Sequence, residues 1–268
     1  MKMDWLQRLP FRLGTTSYIL PDEILPNARY LAGKVRDVEL VLFEVDEGLN
    51  NLPSPEEVNE LRELGSLHDL SYTVHLPLDL RLGSDGEVQK LSIFKALRTI
   101  EATRALEPQA YIVHLDGSEV REGATARKMQ RWKEQAKAAL EEVAEASGDL
   151  GLLAVENLEN YPQDFWEKAL QGLPASHCAD VGHLWLEGID PLPYLERNLE
   201  VTRVIHLHGI QERDHASLAY APQESLEAVL KLLCERRFPG VVTMEVFGQA
   251  DFLSSLKAVE DSLGRIGY

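Results

Sequence analysis

Cysteine is nearly absent from this chain. Cys178 and Cys234 are the only two in 268 residues, too few for a disulfide framework and without zinc-finger spacing. Cys178 falls in an apolar run, where a thiol packs as a small hydrophobe. Positive charge is scarce too: 27 Lys and Arg stand against 44 Asp and Glu, a net of −17. That balance argues against a nucleic-acid partner, whose phosphates need a basic footprint, and against an anionic membrane surface. No apolar run approaches the roughly 18 residues of a membrane span. Met1-Lys2-Met3-Asp4-Trp5 has no apolar leader region. The expectation is a cytoplasmic protein with a small-molecule substrate and no membrane or nucleic-acid partner. Missing as well are a Pro/Gly/Ser linker, a low-complexity tract and the glycine-rich phosphate loop of a doubly wound sheet.

What is present suits one large core. The chain is 44% hydrophobic and 26% charged, and its length fits a single α/β barrel domain over residues 1–268. Near-continuous apolar runs, the pattern of parallel strands buried on both faces, end at Tyr18, Phe43, Pro77, Leu115, Asn157, Asp180, Gly209 and Phe247. Segments of helical spacing lie between them. One follows Ser54-Pro55-Glu56-Glu57, a favourable helix start, and runs to Leu64. Eight strand–helix alternations without a tight hairpin predict a parallel (β/α)8 barrel.

The carboxyl ends of barrel strands share one mouth. There the sequence places Glu44, His75, His114, Glu156, Asp180 with His183, His206 with His208, and Glu245. Any one of them has an ordinary explanation, such as a core histidine with its hydrogen bond or an Asp capping the next helix. Repeated from the second strand to the eighth, that explanation fails. Carboxylates buried without partners are costly, few Lys or Arg stand at these ends, and divalent cations are the simplest counter-charge. Asp180 and His183 flank Gly182, read as the point where the sixth strand breaks into a loop and lets both turn inward. His206 and His208 are two apart on a strand and so share a face. His206 is the expected ligand, with His208 donating to substrate or to a ligand. His215 lies on a loop within reach. Poorer candidates are His68, in a polar loop before the third strand, and His177, turned away from Asp180 by strand alternation.

This pattern resembles the xylose isomerase-like TIM barrel superfamily, and within it the apurinic-endonuclease-type branch, over nearly the whole chain. The resemblance implies one metal held by Glu156, Asp180, His206 and Glu245, as in the sugar isomerases and epimerases. It implies a second at His75 and His114, with Glu156 bridging; zinc is expected, with manganese, iron or cobalt as alternatives. His183 and His215 would serve a third ion, although Arg213 stands where the branch carries an Asp. The stretches Arg12–Pro21, Asn27–Val35 and Glu39–Glu44 are similar to the cobamide-remodelling phosphodiesterase (CbiR) family. That likeness implies a metal-dependent hydrolase opening the nucleotide loop of cobalamin-type cofactors so that the lower ligand can be exchanged. The catalytic residues would then be Glu156, Glu245 and His208, and the loop Thr15, Thr16, Ser17 and Tyr18 would offer hydroxyls to the amides of a bound cobamide. A one-metal sugar isomerase or epimerase is the alternative, with Glu156 and Glu245 as acid and base and with His75 and His114 on sugar hydroxyls. An apurinic endonuclease is opposed by the acidity, and a metal-dependent binding protein is a third reading. Metal count separates the first two.

Overall fold

Eight short strands close on themselves in the computed structural model, which describes residues 4–43, 49–77, 81–83, 86–211 and 215–268. They are β1 (Arg12–Thr16), β2 (Asp37–Val41), β3 (Ser71–His75), β4 (Tyr111–Val113), β5 (Leu153–Glu156), β6 (Ser176–Asp180), β7 (Thr202–Leu207) and β8 (Val241–Met244). Each pairs in parallel with the next, and β8 returns to β1 with Arg12 opposite Val241. The expected (β/α)8 barrel is the observed fold.

Around the strands run α1 (Ile24–Leu31), α2 (Pro55–His68), α3 (Gly86–Thr103), α4 (Ala126–Ser147), α5 (Phe165–Ala169), α6 (Val181–Leu186), α7 (Pro191–Asn198), α8 (Gln223–Glu235) and α9 (Gln249–Arg265). Their apolar faces and the outward faces of the strands form the main core, from Phe11 and Leu40 to Val242 and Phe252. Helix α2 begins with a capping box, Ser54 and Glu57 each satisfying the other's backbone N–H, and with Pro55 in the first turn. It runs four residues beyond the expected end, so His68 sits on an exposed last helical turn and not in a loop.

A second correction falls at the mouth. The residues after Asp180 form helix α6, not a loop, because Asp180 caps it: Oδ1 accepts from the His183 N–H at 2.7 Å. Gly182 is needed there for close approach. A Cβ on it would lie 2.1 Å from Nε2 of His208.

The barrel interior has two halves. Ala110, Ile112, Ala154, Cys178, Val204 and Val241 make a small apolar plug. Facing it, Asp37, Glu39, Thr73 and Thr243 are fully buried polar groups. Among the described residues, no helix is long and apolar enough to cross a membrane.

Candidate metal centre

Strand alternation explains why ligands gather at one end. Residues two apart share a face, so the inward column of each strand from β3 to β8 climbs from packing residues to a donor. Thr73 leads to His75, Ile112 to His114, Ala154 to Glu156, Cys178 to Asp180, Val204 to His206 and His208, and Thr243 to Glu245. The donors meet in overlapping groups: His75, His114 and Glu156; Glu156, Asp180, His206 and Glu245; and His183, His208 and His215. All eight residues expected as metal ligands, together with His208, therefore converge. Glu44 and Arg213 lie outside the described residues.

Glu156 is the common member of the first two groups. Its Oε2 lies 3.1 Å from His114 Nε2, 3.5 Å from His75 Nε2 and 3.6 Å from His206 Nδ1. His206 Nδ1 also faces Glu245 Oε2 at 3.1 Å and Asp180 Oδ2 at 3.7 Å. Nδ1 of His206, Oδ2 of Asp180 and Oε2 of Glu245 are buried and make no hydrogen bond. Imidazole nitrogens and carboxylate oxygens converging in this way suit a divalent ion of the zinc or manganese type. Cys178 also reaches Glu156 and His206, but burial holds its thiol far above the usual range, which keeps it protonated.

The third group is assembled differently from expectation. His208 joins His183 and His215 there, with His208 and His215 ring centroids 4.5 Å apart. Gly209 and Ala216 exchange both backbone hydrogen bonds, and this bridge sets His215 beside the strand end. His208 also reaches the central group, its Nε2 lying 3.4 Å from Asp180 Oδ1.

Charge in the cluster is shared. Burial raises Glu156 and Glu245, but the neighbouring histidines outweigh it and hold both well below the usual carboxylate range. Burial likewise raises Asp180, which His183 and His208 pull down to about 2. In return the carboxylates overcome the burial of His75 and His183 and raise both, His183 to about 9.

The expected substrate loop is not presented as a set. Thr15 and Thr16 belong to β1 and are fully buried, their hydroxyls donating to the Met244 and Val246 carbonyls at 2.8 and 2.7 Å. A hydroxyl has one proton, so neither has a donor left for a ligand. Ser17 is buried and accepts from the Val41 N–H at 3.1 Å. Tyr18, 38% exposed, is the one of the four at the surface. His177 is buried away from all these groups, its pKa lowered by burial.

Two supporting residues escaped the sequence reading. Asn157 bonds both backbone groups of Asp180 through its side chain, at 2.8 and 2.9 Å, and tethers the β6 end to β5. Glu39, at the centre of β2, is fully buried against His206. Its signal was visible: an acid inside the apolar run Val38–Phe43, two residues from another acid, Asp37.

Residues 34–266 match the model of the xylose isomerase-like TIM barrel family. Of the curated proteins, none matches the sequence. Among solved structures, a D-tagatose 3-epimerase-like protein superposes with a TM-score of 0.72 at 20% identity, over 95% of this chain and 98% of its own. Endonuclease IV from Thermus thermophilus gives 0.72 at 19%, over 95% and 99%. A 3-keto-D-glucoside 4-epimerase from E. coli gives 0.69 at 15%, over 95% and 99%.

Proposed function

Because the chain belongs to the xylose isomerase-like TIM barrel family, whose fold serves both epimerases and an endonuclease in the structures above, we propose that its mouth is a metal-dependent phosphodiesterase site acting on the nucleotide loop of a cobamide. The observation that carries the reading is the pair of donor groups joined at Glu156. A one-metal isomerase requires Glu156, Asp180, His206 and Glu245; it does not require His75 and His114, whose Nε2 atoms both turn to the same Glu156 oxygen. His75 and His114 would hold one ion with Glu156, and Asp180, His206 and Glu245 a second. Divalent ions held there supply an activated water and stabilise charge on a phosphoryl group. The protein's own part is positioning and charge, which account for most of the catalysis of phosphoryl transfer.

The surroundings support a bulky substrate of low negative charge. Tyr18 and Phe247, both partly exposed, meet edge to face with centroids 6.4 Å apart, and Phe247 lies 5.5 Å from the His215 ring. This aromatic rim beside the ligands offers apolar contact to a large ring system. A net charge of −17 disfavours a DNA duplex, and the N-terminal likeness to the cobamide-remodelling phosphodiesterases points the same way.

The reaction adds water across one P–O bond, leaving a phosphate monoester and an alcohol. Metal-loaded protein is to be incubated with a cobamide, an abasic-site duplex and a panel of ketoses, with products identified by mass. A cobinamide-type corrinoid released from the cobamide is the expected result. Isomerised ketose with intact cobamide would replace this reading with an epimerase, in which Glu156 and Glu245 act as acid and base.

A further inference from the structure

Each buried histidine of the cluster has to be told which nitrogen to present. Backbone carbonyls do this for three of them. Nδ1 of His75 lies 2.8 Å from the Leu76 carbonyl, Nδ1 of His183 lies 2.9 Å from that of Asn157, and Nδ1 of His208 lies 3.3 Å from that of Gly209. A carbonyl only accepts, so in each Nδ1 carries a proton, and Nε2 is the nitrogen left to take up an ion.

His206 is reversed. Its Nε2 lies 3.0 Å from Oε2 of Glu39, and its Nδ1 faces Glu245, Asp180 and Glu156 at 3.1 to 3.7 Å. Glu39 is itself pinned, since the Thr243 hydroxyl donates to the same Oε2 at 3.2 Å. Both His206 and Glu39 are fully buried, so water does not compete for the contact. Glu39 meets the ring at Nε2, away from Nδ1, and among the described residues it belongs to none of the donor groups that include His206.

We infer that Glu39 is a positioning residue for the central site: its carboxylate takes the Nε2–H of His206, fixes the ring orientation and delivers Nδ1 as the metal-binding nitrogen. A carboxylate does more than a carbonyl here. Its full negative charge raises the basicity of the opposite nitrogen, and such partners are typically worth about 10–100-fold in metal affinity. The inference rests on the metal-binding part of the proposed function and is independent of the substrate.

Two measurements test it, with zinc as the probe. In 15N-labelled, zinc-loaded wild-type protein, long-range 1H–15N correlations should show His206 protonated at Nε2 and metal-bound at Nδ1, the reverse of His75. In competition with a chelator, Glu39→Gln should bind the tightest zinc about 10–100-fold more weakly. Thr243→Val, which leaves Glu39 against His206, should lose less than the Glu39 variant. Zinc on Nε2 of His206 in the wild type would overturn the assignment, as would Glu39→Gln affinity within about twofold of wild type. The wild-type spectrum decides alone if the Glu39 variant does not fold. No zinc uptake by wild type would overturn metal binding itself, an outcome distinct from zinc bound through the wrong nitrogen.

Discussion

Glu156 is the residue on which the centre depends most. It is fully buried at the end of β5, and one of its oxygens is shared among histidines from three other strands. Replacing it with Gln keeps the shape and removes the charge. Glu156→Gln is expected to lower both bound metal and turnover by more than about 100-fold, beyond the range for loss of a supporting group. His208→Gln should fall within about 10–100-fold, since His208 lies in the neighbouring group with His183 and His215. Metal analysis of the purified variants beside kinetics checks this, and equal metal content in wild type and the Glu156 variant rejects it. Such residues are legible in sequence because each ends an apolar run. Glu39 gives a different signal, an acid that interrupts such a run, and a search for donors at strand ends passes over it. Its partner His206 is 167 positions away, and only the closed barrel brings the two together.

At the scale of elements, the strands were readable from their apolar runs and the mouth from their order, while the joints were not. The residues after Asp180 resemble a loop because glycine and histidine interrupt the hydrophobic pattern. The Asp180 cap and the packing of Gly182 against His208 make them a helix instead. Strand β1 shows a related difference. Thr15-Thr16-Ser17 reads as a polar loop, yet its hydroxyls tie β1 to its neighbours: Thr15 and Thr16 donate to backbone carbonyls of Met244 and Val246, and Ser17 accepts from Val41. The double change Thr15→Val and Thr16→Val keeps β-branching and removes both donors. The Met244 carbonyl keeps the Val246 N–H as a donor at 3.0 Å, whereas the Val246 carbonyl loses its hydroxyl, a buried group left unmade worth about 1–3 kcal/mol. A loss of about 1–3 kcal/mol in urea unfolding is therefore expected, with substrate KM nearly unchanged. A raised KM at unaltered stability would instead return these hydroxyls to the substrate.

Across the whole molecule, the acidic excess makes buried carboxylates the groups most exposed to pH. Those at the mouth have histidines as partners, whereas Asp37 does not. It is fully buried on β2 and accepts from Ser71 Oγ at 2.5 Å and Thr73 Oγ1 at 2.8 Å. Burial pushes its carboxyl up from 3.8 to about 6, Glu39 adds to the rise, and the two hydroxyls and Arg12 pull against it. The folded protein therefore keeps a proton on Asp37 through a range in which the unfolded chain has released it. Stability with respect to this group is greatest below about pH 4, falls as pH rises toward 6, and stays low above. A shift from 3.8 to about 6 corresponds to about 3 kcal/mol. Asp37→Asn removes the titration while preserving the contacts: its oxygen still accepts from Thr73, and its amide donates to Ser71, whose hydroxyl turns to the Arg36 carbonyl already 3.2 Å away. Urea unfolding from pH 4 to pH 8 should show the variant matching wild type at the acid end and exceeding it by up to about 3 kcal/mol at pH 8. Comparing the two proteins at each pH cancels the titration of the histidine cluster, which both share. A difference that stays constant with pH, or a variant less stable at pH 8, would show that Asp37 is ionised in the fold and held there by Arg12 and its hydroxyl donors.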